Sequence, residues 1–264
     1  MLQLTKDIKA WLYLFRSGGL GTVVKVIRLS RRPIIIGGCG RSGTTLLLSL
    51  LSCHPNIYGI GVETRAFSPN GHNYIPDHAS PFRLKKLYEY VVENENLKGA
   101  VRWCEKTPRN VLYYGRILEY YGERVRVINV VRDGRDVILS RHPTNPDKFW
   151  VTPERWFTDV TQGKQFDSHP QVLTIRYEDL VNDPDTTLKS VYDFTGESFS
   201  DELLKYPQCT KVQQNAAWFG KARPLSNSGV GRWKDPQYEE RVASFTSNPK
   251  VLELLKHYGY STGG

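Results

Sequence analysis

Apolar positions along the chain follow two rhythms. Short runs rich in β-branched residues, at 34–36, 57–60, 125–131 and 172–175, read as buried strands of a parallel sheet, and 101–106 as a further short strand running into Thr107-Pro108. Between them apolar residues recur three and four apart. Leu46, Leu47, Leu50 and Leu51 form one such set, and Leu84, Leu87, Tyr88 and Val91 another, so both stretches are expected to be helical. Thr107-Pro108, Thr152-Pro153, Asp183-Pro184 and Asp235-Pro236 predict helix starts, with Thr or Asp as cap and Pro in the first turn. Further helices are expected at 184–195, at 201–206 and twice after 235. This alternation predicts one α/β domain over 34–264, in three layers around a central parallel sheet.

Residues 1–33 form a basic amphipathic arm ahead of that domain. Trp11, Leu12, Phe15, Val23, Val24 and Ile27 fall at helical spacings, interrupted by Gly18-Gly19 and Gly21, with Lys6, Lys9, Arg16, Lys25, Arg28, Arg31 and Arg32 among them. The longest apolar run, 10–15, is far too short to span a bilayer, and no cleavage-site pattern follows it. The arm suits a membrane surface, or packing against its own domain or a second subunit.

The first strand opens into chemistry. After Ile36 come Gly37-Gly38-Cys39-Gly40-Arg41-Ser42-Gly43-Thr44-Thr45, and then the leucine helix. Strand, glycine loop and helix N-terminus together make an anion site: free backbone N–H groups converge there and the helix dipole favours negative charge. The pattern departs from the ATP-type phosphate loop G-x-x-x-x-G-K-[ST] at one position. Thr44 stands where the lysine would be, and a cation appears earlier as Arg41. The loop predicts a phosphate ligand rather than a metal-bound triphosphate.

The net charge of +9 agrees with a polyanionic ligand. Neither an aromatic-basic RNA-binding motif nor zinc-finger spacing is present, so nucleic acid is not the expected partner, and no metal-ligand pattern is evident. The four cysteines form no C-x-x-C pair, and the expectation is free thiols in a reducing, cytoplasmic setting.

Three further stretches place charge at strand ends, where open α/β sheets bind ligands. Glu63, after the second strand, is either a general base or the partner of Arg65 or another cation. Lys106 stands at a strand-to-helix turn beside the phosphate loop, or is a surface lysine. Arg132 follows the strongest strand, where a nucleotide triphosphatase would carry a magnesium-binding Asp. Arg132 and Ser140, two helical turns apart, are expected to face one ligand group, while Asp133 caps the next helix. Residues 220–235 form a cationic, glycine-containing loop suited to folding over a nucleotide, with Trp233 stacking or packing. Residues 66–81 and 142–156 are expected to shape a second-substrate pocket.

In combination these motifs resemble the sulfotransferases that use 3′-phosphoadenosine 5′-phosphosulfate (PAPS), and most closely the tyrosylprotein sulfotransferase branch. Gly40-Arg41-Ser42-Gly43-Thr44-Thr45-Leu46 is similar to that family's 5′-phosphosulfate loop. Val62-Glu63-Thr64-Arg65 resembles the segment with its catalytic glutamate, and Glu105-Lys106-Thr107-Pro108 the segment with its catalytic lysine. Val131-Arg132-Asp133-Gly134-Arg135, with Ser140 eight residues after Arg132, matches its 3′-phosphate site, and Arg176-Tyr177-Glu178-Asp179-Leu180 the strand end whose tyrosine lies near adenine. The resemblance implies sulfuryl transfer from PAPS to a hydroxyl or amine, with 3′,5′-ADP released and no metal required. Glu63 would be the base, and Lys106 with Arg41 would stabilise the leaving oxygen. One part of the pattern differs. Cytosolic relatives grip the 3′-phosphate with an Arg-Lys-Gly triplet, whereas this chain has Ser226-Asn227-Ser228, leaving Arg223 or serines such as Ser228 to substitute. The membrane anchor and lumenal disulfides of secretory members are not evident. A kinase-like phosphotransferase using ATP and magnesium is the alternative, opposed by Thr44 and Arg132. A non-catalytic nucleotide- or glycan-binding module is another, opposed by the presence of both Glu63 and Lys106.

Overall fold

The computed structural model describes residues 8–67, 82–93, 99–142, 144–210, 212 and 224–262. Its centre is β1 (Ile34–Gly38), buried along its whole length. Around it stand β2 (Ile57–Gly59), β3 (Arg102–Lys106), β4 (Arg126–Val131) and β7 (Val172–Arg176), in the order β2-β3-β1-β4-β7 and all parallel. Two further strands, β5 (Arg141–His142) and β6 (Asn145–Phe149), form a separate antiparallel hairpin.

The strand alternation builds the layers. On β1, Ile35 packs into one core cluster with Trp103, Val127, Tyr114 and Leu87. Ile34 and Ile36 point the other way, into a second cluster with Leu47, Leu48, Ile128 and Leu188, as a two-residue period requires. Helices α1 (Ile8–Leu29), α3 (Leu84–Glu93) and α4 (Tyr114–Tyr121) cover the first face. Helices α2 (Thr44–Leu51) and α8 (Pro184–Thr195) cover the second. This is the expected three-layer α/β arrangement. A third cluster joins α6 (Pro153–Lys164), α9 (Glu239–Thr246) and α10 (Pro249–His257) to the segment after β4.

Of the four Pro-marked starts, three are capped as expected. Thr152 accepts from the Arg155 amide, Asp183 from Thr186 and Asp235 from Gln237. At Thr107 the expectation fails. The following turn is a 3₁₀ helix, Pro108–Tyr113, and the threonine hydroxyl instead donates to buried Glu105 at 2.6 Å. The helix expected at 201–206 is likewise a short 3₁₀ turn, Asp201–Leu204.

The cysteine reading needs correction. Cys53, just past α2, is disulfide-bonded to Cys209, which lies 156 residues later, while Cys39 and Cys104 are free and buried. The two meet because the 3₁₀ turn holding Leu203 packs into the same cluster as Leu47 and Leu48. No local spacing announces a contact of that range. Among the described residues, no helix is long and apolar enough to cross a membrane.

Candidate active site

The register of the sheet brings the functional strand ends to one level. Ile36 stands opposite Lys106 on one side and Ile128 on the other, so Lys106 leaves β3 where β1 enters its glycine loop. Val131 pairs with Arg176, and the next residues, Arg132 and Tyr177, leave together.

Two glycines in the loop are required by its shape. Gly38 has φ 136°, and a Cβ there would lie 2.3 Å from the Val130 carbonyl oxygen. Gly43 has φ 92°, and its Cβ would lie 2.4 Å from the Tyr177 ring. These are conformations and contacts that only glycine tolerates. Arg41 itself sits at φ 69°, the left-handed region that side chains other than Asn and Asp seldom occupy. The loop ends on the first turn of α2 with Thr44 buried, and the buried Ser42 hydroxyl has no hydrogen-bond partner. A donor left over beside a helix N-terminus suits a bound anion.

Tyr177 is the hub of the second strand end. Its ring packs on Gly43 and lies under the Arg132 guanidinium, 4.3 Å from centroid to Cζ. Arg132 donates to the carbonyls of Arg41, at 3.0 Å, and of Gly229. It is held from behind by Trp156, whose indole donates to the Arg132 carbonyl at 3.2 Å. Glu178, next to Tyr177, accepts from the Asp133 amide and the Tyr260 hydroxyl. The two strand ends are thus tied together. Asp133 caps the short helix α5 (Gly134–Val137) through the Arg135 amide, as its position predicts.

The helix after Asp133 is shorter than the spacing of Arg132 and Ser140 assumes. α5 covers only Gly134–Val137, and Ser140 lies beyond it. Its buried hydroxyl turns back to donate to the Asp136 carbonyl at 3.4 Å. The two-turn helical alignment of Ser140 with Arg132 is therefore not formed. Arg223 lies outside the described residues. Ser228 is exposed and accepts from the Ser226 hydroxyl, one residue before the Gly229 carbonyl that holds Arg132.

Arg232 is the group that sequence reasoning missed on this side. Asp136 accepts from the amides of Gly231 at 2.8 Å and Trp233 at 3.1 Å, and Arg135 stacks on Trp233 with Cζ 3.6 Å from the ring centroid. This clamp sets Arg232 beside Arg41 and Arg132. Burial lowers the pKa of Arg41, and repulsion from Arg132 and Arg232 lowers it further. Burial and Arg132 do the same to Arg232. The Nε groups of Arg132 and Arg232 are buried without hydrogen-bond partners. Such a cluster of like charges, with donors to spare, is stabilised by a multiply charged anion.

The other side of the loop holds Glu63 and Lys106. Lys106 Nζ lies 2.6 Å from Glu63 Oε1, with the lysine side chain 6% exposed and the glutamate 40%. Of the two partners open to Glu63 in the sequence reading, Arg65 or another cation, the structure selects the second, Lys106. A buried carboxylate aligns this pair. Glu105, wholly buried, accepts from Thr64 at 2.8 Å, Thr107 at 2.6 Å and Asn110 at 2.7 Å. Thr64 adjoins Glu63 and Glu105 adjoins Lys106, so this network fixes one catalytic candidate against the other. Burial raises the Glu105 pKa, and the three hydrogen bonds oppose the shift.

Behind the loop lies a second unforeseen group. The Arg155 guanidinium would stand 2.9 Å from a Cβ on Gly40, and Arg155 pairs loosely with buried Asp159 at 3.6 Å. Burial lifts the Asp159 carboxyl to about 6, against the pull of Arg155, a hydrogen bond with Cys39, and Arg109. Among the described residues no three His, Cys, Asp or Glu side chains gather as a metal site would need.

Comparison with known proteins shows the family of the chain. The model of the "Sulfotransferase family" matches residues 33–201, more than half of the chain. An uncharacterized protein of Aquifex aeolicus is 24% identical over 258 residues, 86% of this chain and 32% of its own length. Protein-tyrosine sulfotransferase A of Caenorhabditis elegans is 24% identical over 260 residues, 86% of this chain and 67% of its own. Among solved structures, the sulfotransferase domain of the Synechococcus PCC 7002 olefin synthase superposes with a TM-score of 0.59 at 18% identity, covering 88% of this chain and 95% of that domain. Mouse sulfotransferase SULT7A1 complexed with PAP gives a TM-score of 0.53 at 19% identity, with 87% and 89% covered.

Proposed function

Because the chain belongs to the sulfotransferase family, we propose that it moves the sulfuryl group of PAPS to a hydroxyl or amine and releases 3′,5′-ADP. The observation that carries this reading is the Glu63–Lys106 pair, whose lysine ends the strand next to the one that opens into the phosphate loop. A binding module has no use for a proton acceptor and a cation held together there. The 5′ end of the donor suits the loop, with the unpartnered Ser42 hydroxyl. The 3′-phosphate suits Arg132 and Arg232, Arg41 is left for the 5′ end, and Tyr177 lies between the two.

The roles follow from charge. As the acceptor oxygen or nitrogen bonds to sulfur, its proton passes to Glu63, and the bond from sulfur to the 5′-phosphate breaks. Lys106 faces the charge that grows on the departing phosphate oxygen, helped by Arg41 and the loop N–H groups. Lys106 lies 2.6 Å from Glu63, so the two groups stand close enough for one to take the acceptor's proton while the other faces the leaving oxygen. The fixed cations perform the task that a metal ion performs in phosphoryl transfer.

The test is to supply labelled PAPS with a cell extract and identify the labelled product, comparing the protein with its Glu63→Gln variant. Label transferred only by the unaltered protein supports the reading and identifies the acceptor. Tight binding of ATP with magnesium, alongside weak binding of 3′,5′-ADP in excess chelator, would replace it with the kinase-like alternative.

A further inference from the structure

Helix α1 is buried on one side only. Ala10, Leu14, Val26 and Leu29 enter the first core cluster, and Trp11 packs on Tyr88 with ring centroids 6.1 Å apart. The opposite side carries Leu12, Phe15, Leu20 and Val24, each 50–69% exposed and together four of the six large apolar side chains exposed among the described residues. Scattered exposed apolar residues are ordinary, but four on one element make a patch. The helix breaks at Gly18 and Gly19, whose dihedrals are not helical. Leu20, Val24 and Arg28 then share one row of the second half, at i, i+4 and i+8.

Charge decides what covers this patch. Arg16 and Arg28 are exposed on this helix, Arg28 also donating to the Ala100 carbonyl at 3.3 Å, exposed Arg31 and Arg32 follow it, and residues 8–33 contain no Asp or Glu. A second copy meeting it across a twofold axis would press the same cationic face against itself, with no acid of its own to pair. A lipid surface offers the missing complement: apolar chains for the leucines and Phe15, and anionic headgroups for the arginines. We propose that α1 lies in the interface of an anionic membrane with this face inward, and that the sulfotransferase domain is carried there by it.

The test uses the full chain with sucrose-loaded vesicles of phosphatidylcholine alone or mixed equally with phosphatidylglycerol. Sedimentation with the mixed vesicles, little with phosphatidylcholine, and release by high salt are expected. Arg16→Ala should weaken binding about fivefold, the equivalent of ~1 kcal/mol per juxtamembrane cation. Phe15→Ser with Leu20→Ser should abolish binding while leaving 3′,5′-ADP affinity unchanged. Should that double variant fail to fold, Arg16→Ala and the salt series still decide. The proposal is overturned if the protein ignores anionic vesicles or binds both kinds equally. It is also overturned if ultracentrifugation finds a dimer that the double variant converts to monomer, which would make the face a contact between copies.

Discussion

The two sides of the phosphate loop are built to different standards of rigidity. On the donor side Arg132 is fixed by two carbonyls, an aromatic ring and the indole behind its own backbone, and the loop carrying Arg232 is clamped by Asp136. On the transfer side the base candidate is 40% exposed and is held by a single ion pair with Lys106. The proposed donor side is thus held by several fixed contacts, whereas the proposed transfer side rests on one partly exposed ion pair. Binding energy is then realised on one side and chemistry on the other, which makes the two separable by mutation.

The largest separation is expected at the pair itself. Glu63→Gln removes proton acceptance and little else, so turnover should fall ~10²–10⁴-fold while 3′,5′-ADP affinity stays within a few-fold. Lys106→Ala should lower turnover comparably by exposing the leaving charge. Single-turnover kinetics beside calorimetric titration of 3′,5′-ADP reads both quantities. If either variant loses affinity as steeply as rate, the transfer side takes part in holding the donor and the contrast fails.

Asp159 tests the seam between the sides, since it meets Cys39 of the loop and feels Arg109 just beyond Lys106. Its carboxyl rises from 3.8 to about 6 in the folded protein, so the folded state holds this proton more tightly than the unfolded chain. Its burial therefore costs stability above pH 6, and that cost disappears as pH falls toward 4. The wild type should gain on Asp159→Asn by at most ~3 kcal/mol over that window. Calorimetric melting of both proteins from pH 7 to 4 measures the difference. A flat difference would mean that Asp159 titrates as an ordinary carboxylate and that the seam is not under charge strain.

Much of the donor side was legible in the sequence because its signals are local. Ile34 to Thr45 contains strand, glycines and helix start in one uninterrupted stretch, and Arg132 and Tyr177 each follow a clear strand directly. Glu63 and Lys106 were legible as candidates, but their mutual contact spans 43 residues and needs the sheet order to be known. Glu105 was given no role of its own in the sequence, and only burial with three donors shows it as the staple. Arg232 depends on Asp136, 96 residues earlier, and Cys53–Cys209 on the packing of a short 3₁₀ turn. The two-turn helix assumed between Arg132 and Ser140 was misread for a different reason: α5 stops after one turn, and helix length is weakly encoded where tertiary packing ends it.

Arg132→Ala probes the donor side at its centre. A hydrogen bond to a charged group contributes about 1.5–3 kcal/mol, so 3′,5′-ADP affinity should drop about 10–150-fold. Affinity for 5′-AMP, which offers this arginine no phosphate, should hardly move. Equal losses for both nucleotides would make Arg132 a support of the loop through the Arg41 carbonyl rather than the reader of the 3′-phosphate.

The smallest effects discriminate most finely between motif and structure. By motif, Ser140 completes the 3′-phosphate site. By structure, its hydroxyl is occupied with Asp136 through a long 3.4 Å bond, and Arg232 stands with Arg41 and Arg132 instead. Arg232 keeps part of its surface in solvent, so screening limits its contribution below that of Arg132. Arg232→Ala is expected to weaken 3′,5′-ADP about 3–10-fold, within the range of one ordinary hydrogen bond. Ser140→Ala should stay within about threefold, because so long a bond adds little. Neither should alter 5′-AMP binding. Titrating the two nucleotides into both variants ranks the residues directly. If Ser140 proves the costlier loss, donor binding must swing its hydroxyl away from Asp136, and the donor side would then be less preorganised than its contacts imply.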